Sequence, residues 1–255
     1  MKRTKLILFI ILMGFIAACI NDDDANPHVN LTVNFTHNWD GEELTSADFN
    51  NVVYENANED VLSITLLRYL ISDIVLHKTD GGTTTLTGYL LVDVNNDQTS
   101  VTIPNVPVGE YEALSFTFGF DEEDNTDGAY QDLNSASWNW PEMLGGGYHF
   151  MQLEGTFIDE DGGTGGENPY AYHMGTIRNA DSQFEQNFFN VTLEEGVSLE
   201  SNTTVEIEMN IAEWFKNPNV WDLNTFGVDL MSNYEAQKMM NENGQTVFNL
   251  GNVSL

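Results

Sequence analysis

Val29-Asn30-Leu31-Thr32-Val33-Asn34-Phe35 alternates an apolar with a polar residue at every step. Successive side chains of a strand point to opposite faces. A strict period of two therefore sends Val29, Leu31, Val33 and Phe35 to a buried face and the polar residues toward water. Similar β-rich runs follow at 65–77, 84–94, 100–103, 115–120, 148–158, 188–193 and 203–210. Turn signals separate them: Asp80-Gly81-Gly82, Asn95-Asn96-Asp97, Pro107-Val108-Gly109 and Asp161-Gly162-Gly163. Many short strands without alternating helices predict an all-β chain, a single-domain antiparallel β-sandwich over 29–255. Helix is expected only late, as a short turn at 211–215 and a helix over 232–243, capped by Ser232 and stopped near Gly244.

Upstream of this body, Lys2, Arg3 and Lys5 precede a short apolar run that ends in Ile16-Ala17-Ala18-Cys19. A run of about a dozen residues is too short to anchor a helix across a bilayer, so 1–18 reads as an export signal. Small residues leading into the only cysteine of the chain resemble a bacterial lipobox, which makes Cys19 the lipidated first residue of the mature protein. Residues 19–28 then form an acidic tether. Its Asp22-Asp23-Asp24 resembles the signal that routes lipoproteins of Bacteroidota to the cell surface. The expected location is the outer membrane, on its periplasmic or surface-exposed face.

Removal of 1–18 leaves about 237 residues, enough for one substantial core. It takes three of the eight Lys and Arg residues and none of the forty acidic ones, so five basic residues face forty acidic, a formal charge of −35. Such a surface repels nucleic acid and concentrates cations without choosing among them. With Cys19 lipidated no free thiol remains, which excludes disulfides and thiolate metal sites. Any metal must rest on His, Met, carboxylate, carbonyl or an unusual ligand.

The five histidines and five tryptophans of the chain are few, and two of each fall between Trp138 and Met174. Trp138 and Trp140 precede a run Gly145-Gly146-Gly147, followed by His149 and His173. Neutral imidazole is a common ligand of copper and zinc. The same residues also suit an aromatic core with histidines bonded to backbone carbonyls, and the sequence leaves both readings open.

Taken in order, several pieces resemble the MbnP-like family of bacterial copper-binding proteins. They are Phe35 to Leu44, Leu67 to Leu76, Tyr89 to Asp93, Val108-Gly109-Glu110-Tyr111 with Phe118-Gly119-Phe120-Asp121, Trp138-Asn139-Trp140, Gly147 to Gly155, His173-Met174-Gly175 and Asn243 to Leu250. The resemblance covers nearly the whole mature chain. It implies a β-sandwich and a copper ion held by two histidines and a tryptophan oxidised to kynurenine. Carried over, His149 and His173 are the expected ligands, Trp138 or Trp140 the oxidised one, and His37 a second-tier candidate. Two neutral imidazoles suit Cu(I). The expected partners are the membrane, through the lipid, copper, and a di-haem peroxidase-like protein that accompanies the family.

Other constellations are thinner. Asp93 to Asp97 and Asp121 to Asp132 offer oxygen ligands for Ca²⁺, but neither has the spacing of an EF-hand loop. No Gly-x-Ser-x-Gly or His-Glu-x-x-His occurs, so the chain is not expected to be an enzyme. Trp39, Trp138, Trp140, Trp214 and Trp221, if exposed, would allow an alternative: a non-catalytic surface interaction module that keeps the fold without the metal. Met239-Met240, on the late helix, reads as packing.

Overall fold

A computed structural model describes residues 27–158 and 166–255; the signal, Cys19, the tether up to Asn26 and the turn at Asp161-Gly162-Gly163 lie outside the described residues. The chain opens with β1 (His28–Trp39), β2 (Glu42–Glu43), β3 (Tyr54–Glu55) and β4 (Val61–Leu62). Four longer strands follow: β5 (Leu66–Lys78), β6 (Thr83–Asp93), β7 (Ser100–Pro107) and β8 (Gly109–Phe118). A short helix α1 (Gln131–Ser135) precedes β9 (Met151–Ile158) and β10 (Glu167–Met174). The remainder is β11 (Ile177–Arg178), β12 (Phe184–Glu185), β13 (Phe189–Leu193), β14 (Val197–Leu199), β15 (Thr203–Asn210), helix α2 (Tyr234–Gly244) and β16 (Phe248–Ser254).

These strands make an all-β sandwich. One sheet runs β16-β15-β1, with β7 and β2 also paired to β1. The larger sheet is organised by β5, which pairs with β6 along one side and with β8 and then β9 along the other. Strands β13 and β14 extend it from β8, and β10 extends it from β9. Among the described residues, pairing is antiparallel except between β1 and β15, which run parallel. That exception escapes the local pattern because it joins residues about 170 positions apart.

Alternation along β1 continues past Phe35, so Leu31, Val33, Phe35, His37 and Trp39 are all buried while the residues between them are not. Phe35 meets Tyr69 of β5 and Phe116 of β8 edge-on, each at 6.0 Å, which locks the two sheets face to face. Burying a side chain of this size stabilises the fold by roughly 1.5–3 kcal/mol. Tyr69, Leu153 and Tyr172 share this inner face, so Arg68, Gln152 and His173, one residue out of phase, form a row across the outer face of β5, β9 and β10.

The chain between Phe118 and Met151 folds over that outer face as a cap. Both of its ends are tied to Leu70: Gly119 N–H donates to the Leu70 carbonyl at 2.8 Å, and Leu70 N–H donates to the Phe150 carbonyl at 2.9 Å. This region departs most from expectation. Helix α1 lies mid-chain, because five residues without a side-chain cap carry no readable period. Strand 115–120 begins earlier, at Gly109, and ends at Phe118, where the cap departs. The late helix starts after Asn233, not Ser232: the Asn233 side chain accepts from Ala236 N–H, while Ser232 closes a preceding 3-10 turn. Residues 211–215 form a 3-10 turn as expected. Among the described residues, no helix is long and apolar enough to cross a membrane.

Candidate metal centre

His173 stands on β10 opposite Gln152, and His149 lies at the end of the cap, just before β9. The structure brings them together, with ring centroids 5.4 Å apart at 80°. Trp138 and Trp140 close the same space, with centroids 5.5 Å and 4.9 Å from that of His149. The local backbone makes this approach. His149 N–H donates to the Trp138 carbonyl and Trp140 N–H to the Gly147 carbonyl, both at 2.9 Å, forming a small ladder between the two segments. Gly145, Gly146 and Gly147 all have positive φ, a run that residues with a Cβ rarely sustain. A Cβ on Gly147 would also stand 2.3 Å from the side-chain oxygen of Asn125.

Each imidazole is oriented by an oxygen. Nδ1 of His149 lies 3.1 Å from the Trp138 carbonyl, which can only accept, so Nδ1 carries the proton and Nε2 keeps its lone pair. Nε2 of His173 lies 2.7 Å from Glu154 Oε1. The Glu154 carboxyl is held below the usual range, first by the His173 hydrogen bond, so it is ionised and accepts from Nε2, and Nδ1 is the His173 nitrogen left open to a ligand. Ligating histidines characteristically donate their second N–H in this way. His149 is lowered to about 4, chiefly by burial and then by the neighbouring His173, and is therefore neutral at ordinary pH.

Beside these rings stand two of the four buried polar side-chain atoms that lack a partner among the described residues. Trp138 is fully buried and its Nε1 makes no hydrogen bond, as is also true of Arg68 Nε. The Arg68 guanidinium lies 5.1 Å over the Trp138 ring and donates to the Ala136 carbonyl and to Gln152. Trp140 Nε1, by contrast, donates to the Leu144 carbonyl at 3.3 Å. A buried donor without a partner is uncommon and calls for an explanation such as a missing ligand.

His37 lies elsewhere. It is buried on the inner face of the smaller sheet, with Nε2 2.9 Å from the Tyr69 hydroxyl, while the His149–His173 pair occupies the opposite side of β5. The strict alternation of β1 already signalled this, since His37 continues the inward series. Among the described residues, no group of three His, Cys, Asp or Glu side chains is arranged to hold a metal. The acidic loops spend their oxygens internally: Asp93 accepts from Asn96, and Asp121 from Glu123 and Asp124. All five tryptophans are buried, so none offers an exposed face to a partner. Met240 is buried and Met239 packs against the core. The residues that sequence reasoning missed are Glu154 and Arg68. Glu154 lies nineteen positions from His173 and meets it only through the β9–β10 register.

No curated protein matches the chain. Its fold is similar to that of MbnP from Methylosinus trichosporium, with a TM-score of 0.54 and 15% identity over 88% of this chain and 99% of that one. The profile of the MbnP family matches residues 28–236, from the start of β1 into α2, and the chain therefore belongs to the MbnP family.

Proposed function

We propose that this chain is a lipid-anchored copper-binding protein of the bacterial cell envelope, holding its ion at His149 and His173 for acquisition or storage without catalysing turnover. Family membership suggests a copper-related role. The observation that carries the reading is the wiring of the imidazoles. Each has one nitrogen engaged by an oxygen acceptor and a second nitrogen without a protein partner among the described residues, and the rings stand 5.4 Å apart. Neutral nitrogen donors without a carboxylate ligand favour the monovalent ion.

Trp138 is the aromatic residue we assign beside them, because its Nε1 is buried and free whereas that of Trp140 is bound to Leu144. Cleavage of its indole C2–C3 bond by two equivalents of peroxide would add one oxygen atom to each carbon, and hydrolysis would then release C2 as formate and leave that nitrogen as an aromatic amine. Activation of the peroxide is assigned to a di-haem peroxidase-like partner. The sequence Ile16-Ala17-Ala18-Cys19 supports attachment through an acylated Cys19 to the outer membrane, and Cys19→Ala should release the protein from the membrane fraction.

The test is metal analysis of the full chain in detergent after copper loading and exhaustive dialysis, beside His149→Ala/His173→Ala. Copper near one ion per chain in the wild type, lost in the variant, is the expected result. Equal copper in both would assign the ion to the acidic surface and put a non-catalytic interaction module in first place. Intact-mass analysis of wild type and Trp138→Phe then reports whether Trp138 carries the modification.

A further inference from the structure

Seven methionines fall among the described residues. Met151, Met174, Met209 and Met240 are buried in the core, and Met239 packs against it. The two that remain, Met143 and Met231, line one and the same groove, of about 440 Å³, together with His173. Met143 is 77% exposed.

Hydrogen bonds running to the histidine site fix both walls of the groove. Met143 sits on the 3-10 turn Glu142–Leu144, whose last carbonyl receives Trp140 Nε1. Met231 sits on the 3-10 turn Leu230–Ser232. That turn is clamped by the buried Gln237, whose Nε2 donates both to the Leu230 carbonyl and, at 2.6 Å, to the His173 carbonyl. Exposure falls along this line, from Met143 through the His173 side chain at 16% to His149 at 6%.

We propose that this groove is the loading port for Cu(I), with the Met143 and Met231 thioethers as transient ligands that pass the ion to His173 and then to His149. The proposal rests on the copper reading above. Thioether sulfur is a soft, uncharged, flexible donor that prefers Cu(I) to Ca²⁺ or Mg²⁺. It therefore supplies the discrimination that a diffuse acidic surface lacks. The transfer is ligand exchange: Cu–S contacts break as Cu–N contacts form, the oxidation state is unchanged and no co-reactant is consumed.

The experiment follows Cu(I) transfer from its bicinchoninate complex to the full-length protein in detergent by stopped flow, and reads the final metal content separately. Met143→Leu/Met231→Leu conserves side-chain volume and leaves both histidines in place. It should reach wild-type copper content but load roughly tenfold more slowly, the effect of about 1.4 kcal/mol at the barrier. In the His149→Ala/His173→Ala variant, Ag(I), a redox-inert stand-in for Cu(I), should shift the methyl NMR signals of Met143 and Met231. Wild-type loading by the leucine variant, or unmoved methyl signals, overturns the port while leaving the histidine site standing. A wild-type protein that takes no Cu(I) at all sinks the copper reading, and the port with it.

Discussion

His37 and His149 make a controlled comparison. Both are buried and both are lowered to about 4, yet they sit on opposite sides of β5 in different company. His37 has a tyrosine hydroxyl and the aromatic rings of the sandwich core around it. His149 has a carbonyl on one nitrogen, a second imidazole beside it and an unpartnered indole nitrogen in the same space. Burial and a depressed pKa therefore do not identify a ligand. What separates the two is the second imidazole beside His149.

The sharpest way to break the contrast is to exchange the two roles. His149→Ala should abolish copper retention at a modest cost to stability. His37→Ala should keep its copper while losing about 2–4 kcal/mol, because it opens a core cavity and strands the Tyr69 hydroxyl. Copper content beside urea unfolding reads both, and retention by His149→Ala would collapse the distinction.

Acid should next reveal what the two share. An unfolded histidine takes up its proton as pH falls through about 6.5, whereas these two hold out to about 4. The unfolded chain thus binds more protons across that window, and each group's share of stability is intact above pH 6.5 and lost as pH falls toward 4. The loss is about 3 kcal/mol per histidine. Replacing either by Gln should flatten the urea-derived stability profile between pH 7 and 4, and an unchanged slope would rule out the shared burial effect.

Glu154→Ala sharpens the ligand side alone. Without the carboxylate, His173 loses the acceptor that orients its ring, and copper affinity should fall about 10- to 100-fold, read by competition with a chelator. The smallest effect concerns the cap. A Cβ at Gly175 would stand 2.5 Å from the Trp140 ring, so Gly175→Ala should cost about 1–3 kcal/mol and weaken binding by displacing Trp140. Equal affinity with a lowered Tm would confine Trp140 to packing.

Much of the scaffold is legible in the sequence because strand alternation is local. The run from Val29 announces β1, and its phase carries on to put His37 in the core. The site is legible only as residue types. Trp138, Trp140, His149 and His173 stand out by rarity, but nothing near His173 in sequence points to Glu154, and nothing near Trp138 points to Arg68. The first contact follows from the β9–β10 register and the second from the cap folding onto β5, and both are non-local. The five-residue α1 and the parallel β1–β15 pair escape for related reasons: one is too short for a period, the other too distant.

The pinning of both cap ends to Leu70 has an evolutionary consequence. A segment that leaves and re-enters the sheet at one residue is a stem-closed insert, and the closure entropy of such a loop grows only slowly with its length. Residues can be gained, lost or exchanged between Phe118 and Met151 without shifting the strands below. The histidine pocket can thus diversify within this fold while the sandwich that carries it stays fixed, as loops borne on rigid scaffolds commonly do.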